Sequence, residues 1–283
     1  MAKKSAARSL ISIFFLTLTT IVFLFPVFIM VTRACMTGAD ATNIPALLVP
    51  SVFSWEGFAR AFQSDIDLLL GLRNTMILVV SNCILIPLSS SLCAFGFAKL
   101  KFKGKEFWFF VALCTTMIPT IVTQIPLYRL FTRTFGWKDS LLPLIVPSIF
   151  GGGALNIFLI RQYMRGIPNS IMEAAKIDGA NWFSFFVQFA MPMSKPVVVL
   201  VMVQTFMAVW NDFMGPLVYL RRAPEMKTLG VEIYTKFLSD RGGKYPPHVR
   251  MAIGVMLTVP PAIMFLCFQK ELVDGVAMSG MKL

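Results

Sequence analysis

Six long apolar runs separated by polar gaps organise this chain. They cover residues 9–32, 74–98, 107–128, 140–160, 196–220 and 251–269. A run of about 20 apolar residues is long enough to cross a bilayer as a helix. The pattern predicts an all-α membrane protein with six transmembrane helices in a single domain over residues 1–283. Lys3, Lys4 and Arg8 imitate the basic start of a signal peptide. The run that follows is too long for a signal core and lacks a small-residue cleavage site, so it is read as an uncleaved first span.

Several runs carry residues that disturb a helix. Pro119 and Pro126 lie in the third, and Pro143, Pro147 and Gly151-Gly152-Gly153 in the fourth. Pro260-Pro261 lies in the sixth. Proline removes a donor and bends a helix. In lipid such bends need neighbours or water to satisfy the freed carbonyls. Lining of a pathway and ordinary kinks in a packed bundle are both open.

The longest polar break between late runs, residues 161–192, has its own helical grammar. Ser170-x-x-Glu173 fits a capping box. Ala174 and Ala175 favour helix, and their small side chains let another surface come close. Gly179 stands where a helix would end, in the left-handed conformation. Asn181 is placed to cap a second helix. Trp182, Phe185, Phe186 and Phe189 recur at helical spacing as one apolar stripe. Pro192 would close that helix. The expectation is a helix–turn–helix at the membrane surface, its aromatic face on the bundle and its small-residue face free.

Composition supports a membrane protein: 57% hydrophobic residues, 14% charged and a mean hydropathy of +0.73. Soluble domains carry about 25% charged residues. The net charge of +12 sits in the gaps between runs. Topology and lipid headgroups account for it more simply than nucleic acid does. With both termini inside, 13 of the 26 basic residues fall inside, so the whole-chain count decides nothing. The basic start and the Lys99-Lys101-Lys103-Lys105 turn favour that orientation; the loop 221–250, with seven basic residues, opposes it. The five cysteines form no C-x-x-C pair, and the single histidine, His248, falls in a polar loop. No metal site or catalytic set is expected.

The spacing Glu173-Ala174-Ala175-x-x-Asp178-Gly179-Ala180, with Pro192 a dozen positions on, resembles the coupling loop of ATP-binding-cassette importer permeases of the carbohydrate-uptake, maltose-type class. Further segments are similar to that family: Arg161-Gln162-Tyr163 with Ile167-Pro168, Trp210-Asn211-Asp212-Phe213 with Pro216-Leu217, Asn74-Thr75, and Gln269-Lys270 through Gly275. The tail departs from the family, ending Ser279-Gly280-Met281-Lys282-Leu283.

The resemblance implies a permease that pairs with a second permease subunit, as a heterodimer, on two cytoplasmic ATPase subunits. An extracytoplasmic solute-binding protein delivers the cargo. It also implies a multi-pass protein of the prokaryotic inner membrane with both termini cytoplasmic. The loop would be a ball in a socket on the ATPase, carried by Glu173, Ala174, Ala175, Asp178, Gly179, Ala180 and Pro192. Glu173 either contacts the ATPase or serves its own helix; Asp178 either meets the partner or supports the turn. Trp210, Asn211 and Asp212 are candidates for the solute pathway. Asp212 instead fits an outer interface or a neighbouring helix.

The chain itself carries no G-x-x-x-x-G-K-[ST] run. Gly242-Gly243-Lys244 is followed by Tyr245 and preceded by Leu238 where the first glycine belongs. No cofactor is expected on this chain, with ATP and Mg on the partners. The first expectation for cargo is a sugar or oligosaccharide; glycerol phosphate or another polar solute is the alternative. An ion-coupled secondary transporter would need more mid-membrane charge and an internal repeat. A membrane enzyme would need paired acids or a placed histidine.

Overall fold

The structure is a computed structural model that describes residues 2–43, 47–220, 222–240 and 243–280; for 2–10 and 273–280 only the backbone is described. Arg221, Gly242 and the terminal Met281-Lys282-Leu283 therefore lie outside the described residues. All regular structure among them is helical. In chain order the helices are α1 (Ala2–Ala34), α2 (Gly38–Thr42), α3 (Glu56–Gln63), α4 (Leu68–Lys99), α5 (Lys105–Cys114), α6 (Thr120–Arg129), α7 (Leu142–Ile145) and α8 (Ala154–Arg165). They continue with α9 (Asn169–Ile177), α10 (Trp182–Phe185), α11 (Met191–Met193), α12 (Lys195–Trp210), α13 (Met214–Tyr219), α14 (Leu229–Ser239) and α15 (Pro247–Gly280).

Four described helices are long and apolar enough to cross a membrane, or six if each of two bent pairs is one span. The third run breaks at Ile118-Pro119, where the two halves bend by 95°. The fifth run is shorter than its apolar length suggests. Helix α12 ends at Trp210, and α13 resumes only at Met214. Pro260 and Pro261 do not break their run: both lie inside α15.

The chain divides into two compact units, one of Met1–Asp67 with Thr235–Ala262 and one of Leu68–Tyr234 with Ile263–Leu283. In the first, Gly57 lies against two backbones. A Cβ there would stand 2.8 Å from the Ala34 carbonyl oxygen and 2.9 Å from that of His248. His248 is not in a polar loop but in the first turn of α15, fully buried. The apolar flank of α1 is bare, with Phe23 75% exposed, a surface suited to lipid.

In the second unit α4 is the spine, with α8 and α12 packed along it. Ala94 and Phe95 of α4 meet Ile157, Ile160 and Met164 of α8 and Val197 and Val201 of α12 in one buried cluster. The fourth run crosses α4 as a broken helix. Residues up to Ile149 end in a tight turn, Gly151, Gly152 and Gly153 all take positive φ, and α8 starts afresh. Three side chains of α4 satisfy the broken segment. The Asn82 amide donates to the Leu144 carbonyl at 3.1 Å, Ser89 Oγ to that of Ser148 at 2.7 Å and Ser90 Oγ to that of Gly151 at 3.1 Å. Ser148 Oγ donates in turn to Asn82 Oδ1. Irregular backbone at membrane depth survives where protein or water supplies such partners.

Candidate docking hairpin and solute pathway

Residues 161–194 leave α8, turn and re-enter the bundle at α12. At the entry, the Arg161 guanidinium is 3% exposed and stacks 3.9 Å from the Phe109 ring. Its Nη2 lies 2.7 Å from both Glu106 carboxylate oxygens, and its Nε donates to the Phe97 carbonyl at 3.2 Å. Ile167 is buried and Pro168 is the residue just before α9. No capping box forms. Helix α9 starts at Asn169, so Ser170 is already inside it, and no side chain caps its first N–H groups. The start of α9 is held from a distance: Lys99 Nζ donates to the Ile167 carbonyl at 2.6 Å and to Asn169 Oδ1 at 3.4 Å.

The two alanines read together from the sequence separate in space. Ala175 is buried in the core cluster, whereas Ala174 is exposed. Glu173, Asp178 and Gly179 share that exposure, and Ile177 is bare at 86%. Among the described residues, the Glu173 carboxylate meets no hydrogen-bond or ion-pair partner, so it does not serve its own helix as a cap.

The turn is a Schellman motif. Gly179 takes φ 85°, its N–H donates to the Lys176 carbonyl at 3.0 Å, and the Ala180 N–H to that of Ala175 at 2.8 Å. The Asn181 side chain then accepts from the Ser184 N–H at 2.8 Å and opens α10. Lys176 Nζ lies 4.0 Å from the Trp182 ring centre, joining the two helices across the turn. Phe185 and Phe186 are buried, with ring centres 6.2 and 5.3 Å from that of Phe95.

Pro192 does not end the second helix. The chain widens into a π-helical turn over Phe186–Ala190 and passes through Pro192 to Met193. It breaks at Ser194, between helices bent by 77°. Pro192 has no N–H for the Gln188 carbonyl, which fits the widened turn before it.

Trp210, Asn211 and Asp212 occupy the break after α12. The Trp210 ring stacks on Phe206 at 5.8 Å and 7°. Asn211 Nδ2 donates to the Met207 carbonyl at 2.7 Å, and Asp212 Oδ1 accepts from the Gly215 N–H at 3.0 Å. Asp212 is therefore not a carboxylate inside a continuous helix. It is exposed at a helix start, where negative charge is favoured.

Most described basic residues of the loop 221–250 are paired. Lys236 and Lys244 lie 3.4 and 2.9 Å from Asp65, and Arg250 lies 2.8 Å from Asp240. Lys227 lies 3.4 Å from Glu232. The Tyr245 hydroxyl also donates to Asp65. Tyr245, Lys244 and Lys236 together hold the Asp65 carboxyl well below the usual carboxylate range. At the far end of α4, Asn74 Nδ2 donates to the Glu225 and Lys227 carbonyls, both at 2.9 Å.

A helical membrane subunit whose broken spans pack on one spine, with a polar hairpin seated beside them, is the architecture of a transport permease. The chain belongs to the binding-protein-dependent transport system inner membrane components, a family whose pattern matches residues 88–274. It is 28% identical over 280 residues to an arabinooligosaccharides transport system permease protein of Bacillus subtilis (strain 168), covering 98% of this chain and 97% of that one. It is 28% identical over 274 residues to a maltodextrin transport system permease protein of the same organism, covering 95% and 94%. Its fold matches a chain in the crystal structure of a bacterial transporter that imports the acidic polysaccharide alginate. That match has a TM-score of 0.82 at 22% identity, over 95% of this chain and 98% of that one.

Proposed function

We propose that this chain is the membrane subunit of an importer that moves an oligosaccharide or sugar delivered by a solute-binding protein. The named cargoes of its relatives, arabinooligosaccharides and maltodextrin, support that class of solute. A solved transporter of matching fold is in complex with an alginate-bound periplasmic protein, which supports delivery by such a partner. ATP hydrolysis, with its Mg, belongs to two cytoplasmic ATPase subunits, and a second permease completes the pathway as a heterodimer.

The observation that carries the docking role is the hairpin's division of faces. Ala175, Phe185 and Phe186 fix it to the bundle, while Glu173, Ala174, Ile177 and Asp178 stand bare. A partner surface covering these groups would gain an apolar anchor at Ile177 and two carboxylates beside it. Orientation follows from the same reading. From Asn74 to Lys99 helix α4 rises about 37 Å, more than the roughly 30 Å of a bilayer core. The hairpin end is then cytoplasmic, as are both termini, and the segment held by Asn74 is outside. Trp210, Asn211 and Asp212 lie at a break where exposed backbone and side chains suit a polyhydroxy solute.

Purification in mild detergent tests the assignment. The chain is expected to emerge with a second six-span permease and ATPase subunits. Recovery as an active lone transporter would sink it.

A further inference from the structure

We infer that Lys99 is a positioning strut that ties the docking hairpin to the broken fourth span, an inference that rests on the docking role proposed above. Lys99 is 7% exposed, yet among the described residues its ammonium meets no carboxylate: its acceptors are the Ile167 carbonyl and the Asn169 side-chain oxygen. Burying a cation on neutral partners is expensive in water-poor surroundings. Packing alone would be served as well by Leu or Met. An ammonium supplies a short directional bond between elements 68 residues apart.

That bond belongs to a braced junction. The last turn of α4 leaves its carbonyls without partners of its own. Arg161 from α8 takes the Phe97 carbonyl and Lys105 from α5 takes that of Leu100 at 3.2 Å. Cations there also suit the negative end of the helix dipole. Glu106 fixes Arg161 in turn. Lys99 is the member of this junction that reaches the hairpin. Further along the same helix, Ser89 and Ser90 hold Ser148 and Gly151 at the break. A displacement of α9 therefore has a continuous path of directional bonds: Ile167 to Lys99, α4 as a rigid rod, and its serines to the break. This is a physical network, and its coupling is measurable.

Hydrogen–deuterium exchange on the assembled complex in nanodiscs tests it, with ATP and vanadate as the trapping probe. In wild type, trapping should change protection in both residues 169–180 and residues 148–153. In Lys99→Met the hairpin response should persist, because the ATPase still docks, while the response at the break falls at least threefold. Lys99→Arg, which keeps a donor, should restore it. A full response at the break in Lys99→Met, or none there in wild type, overturns the strut. Absence of hairpin protection by the ATPase in wild type overturns the docking role itself, and the strut with it. Should Lys99→Met not assemble, Asn169→Ala decides, since it removes one of the two acceptors of the Lys99 ammonium at an exposed position. A reduced break response with hairpin protection retained supports the strut, and an unchanged one overturns it.

Discussion

Gly152 lies so close to Ser90 that a Cβ on the glycine would stand 2.5 Å from the serine Oγ, and 2.8 Å from the Ile86 carbonyl oxygen. Its φ of 62° is also one that side chains resist. Gly152→Ala should cost about 2–4 kcal/mol, from the strained backbone plus overpacking. Gly96→Ala is the contrast, since Gly96 is inside α4 and its added methyl meets nothing within 4 Å. That change should gain about 0.5–1 kcal/mol. Thermal melting of both variants in detergent checks the pair; equal melting temperatures would refute the close contact.

Gly179 is demanding in a different way. Nothing crowds it, but its φ is 85° and its N–H closes the turn on Lys176. Gly179→Pro removes that N–H and forces φ negative. The hairpin's exposed tip should lose its shape while the bundle beneath keeps its own. Membrane levels should stay near wild type, with transport-stimulated ATP hydrolysis reduced at least tenfold in the assembled complex. Full stimulation in that variant would show that the hairpin is not the coupling element.

The two roles open to Asp212 separate by substitution. Its Oδ1 accepts the Gly215 N–H, a bond that asparagine also makes. Asp212→Asn should change stability by only a few tenths of a kcal/mol, whereas Asp212→Ala should lose about 1 kcal/mol. If the carboxylate also meets the solute, Asp212→Asn should raise the KM for transport several-fold at unchanged melting temperature. An unchanged KM leaves Asp212 as a cap alone.

Local features were legible in the sequence, and distant ones were not. The left-handed Gly179, the cap at Asn181 and the burial of Phe185 and Phe186 each follow from spacing within one or two turns. The capping box failed because the start of α9 falls one residue before Ser170, and its support comes from Lys99. Nothing in the four-lysine turn marks Lys99 as the buried one. The prolines did not all act alike. Pro119 stands at the break before α6, but Pro260 and Pro261 pass inside α15. In the sequence the loop 221–250 shows only an excess of basic charge, because one acid that pairs with it, Asp65, is 171 residues away from Lys236. Pairing across such separations leaves no periodicity to read.

Acid should release that loop. Asp65 carries a carboxyl held far below the ordinary value by Tyr245, Lys244 and Lys236. A carboxylate depressed in the folded state binds fewer protons there than in the unfolded chain. Its contribution is thus fully present above the unfolded value of about 4 and is lost as pH falls from there through the depressed folded value. The cluster is largely solvent-exposed, so the effect is screened and modest. Asp65→Asn removes one of the two depressed carboxyls that hold this loop, leaving Asp240. In wild type, susceptibility of residues 235–246 to an acid-active protease should stay flat from pH 7 to 5 and climb as pH drops below about 4. In Asp65→Asn it should be raised at pH 7 already and climb less. The same acid dependence in both proteins would show that the loop is anchored elsewhere.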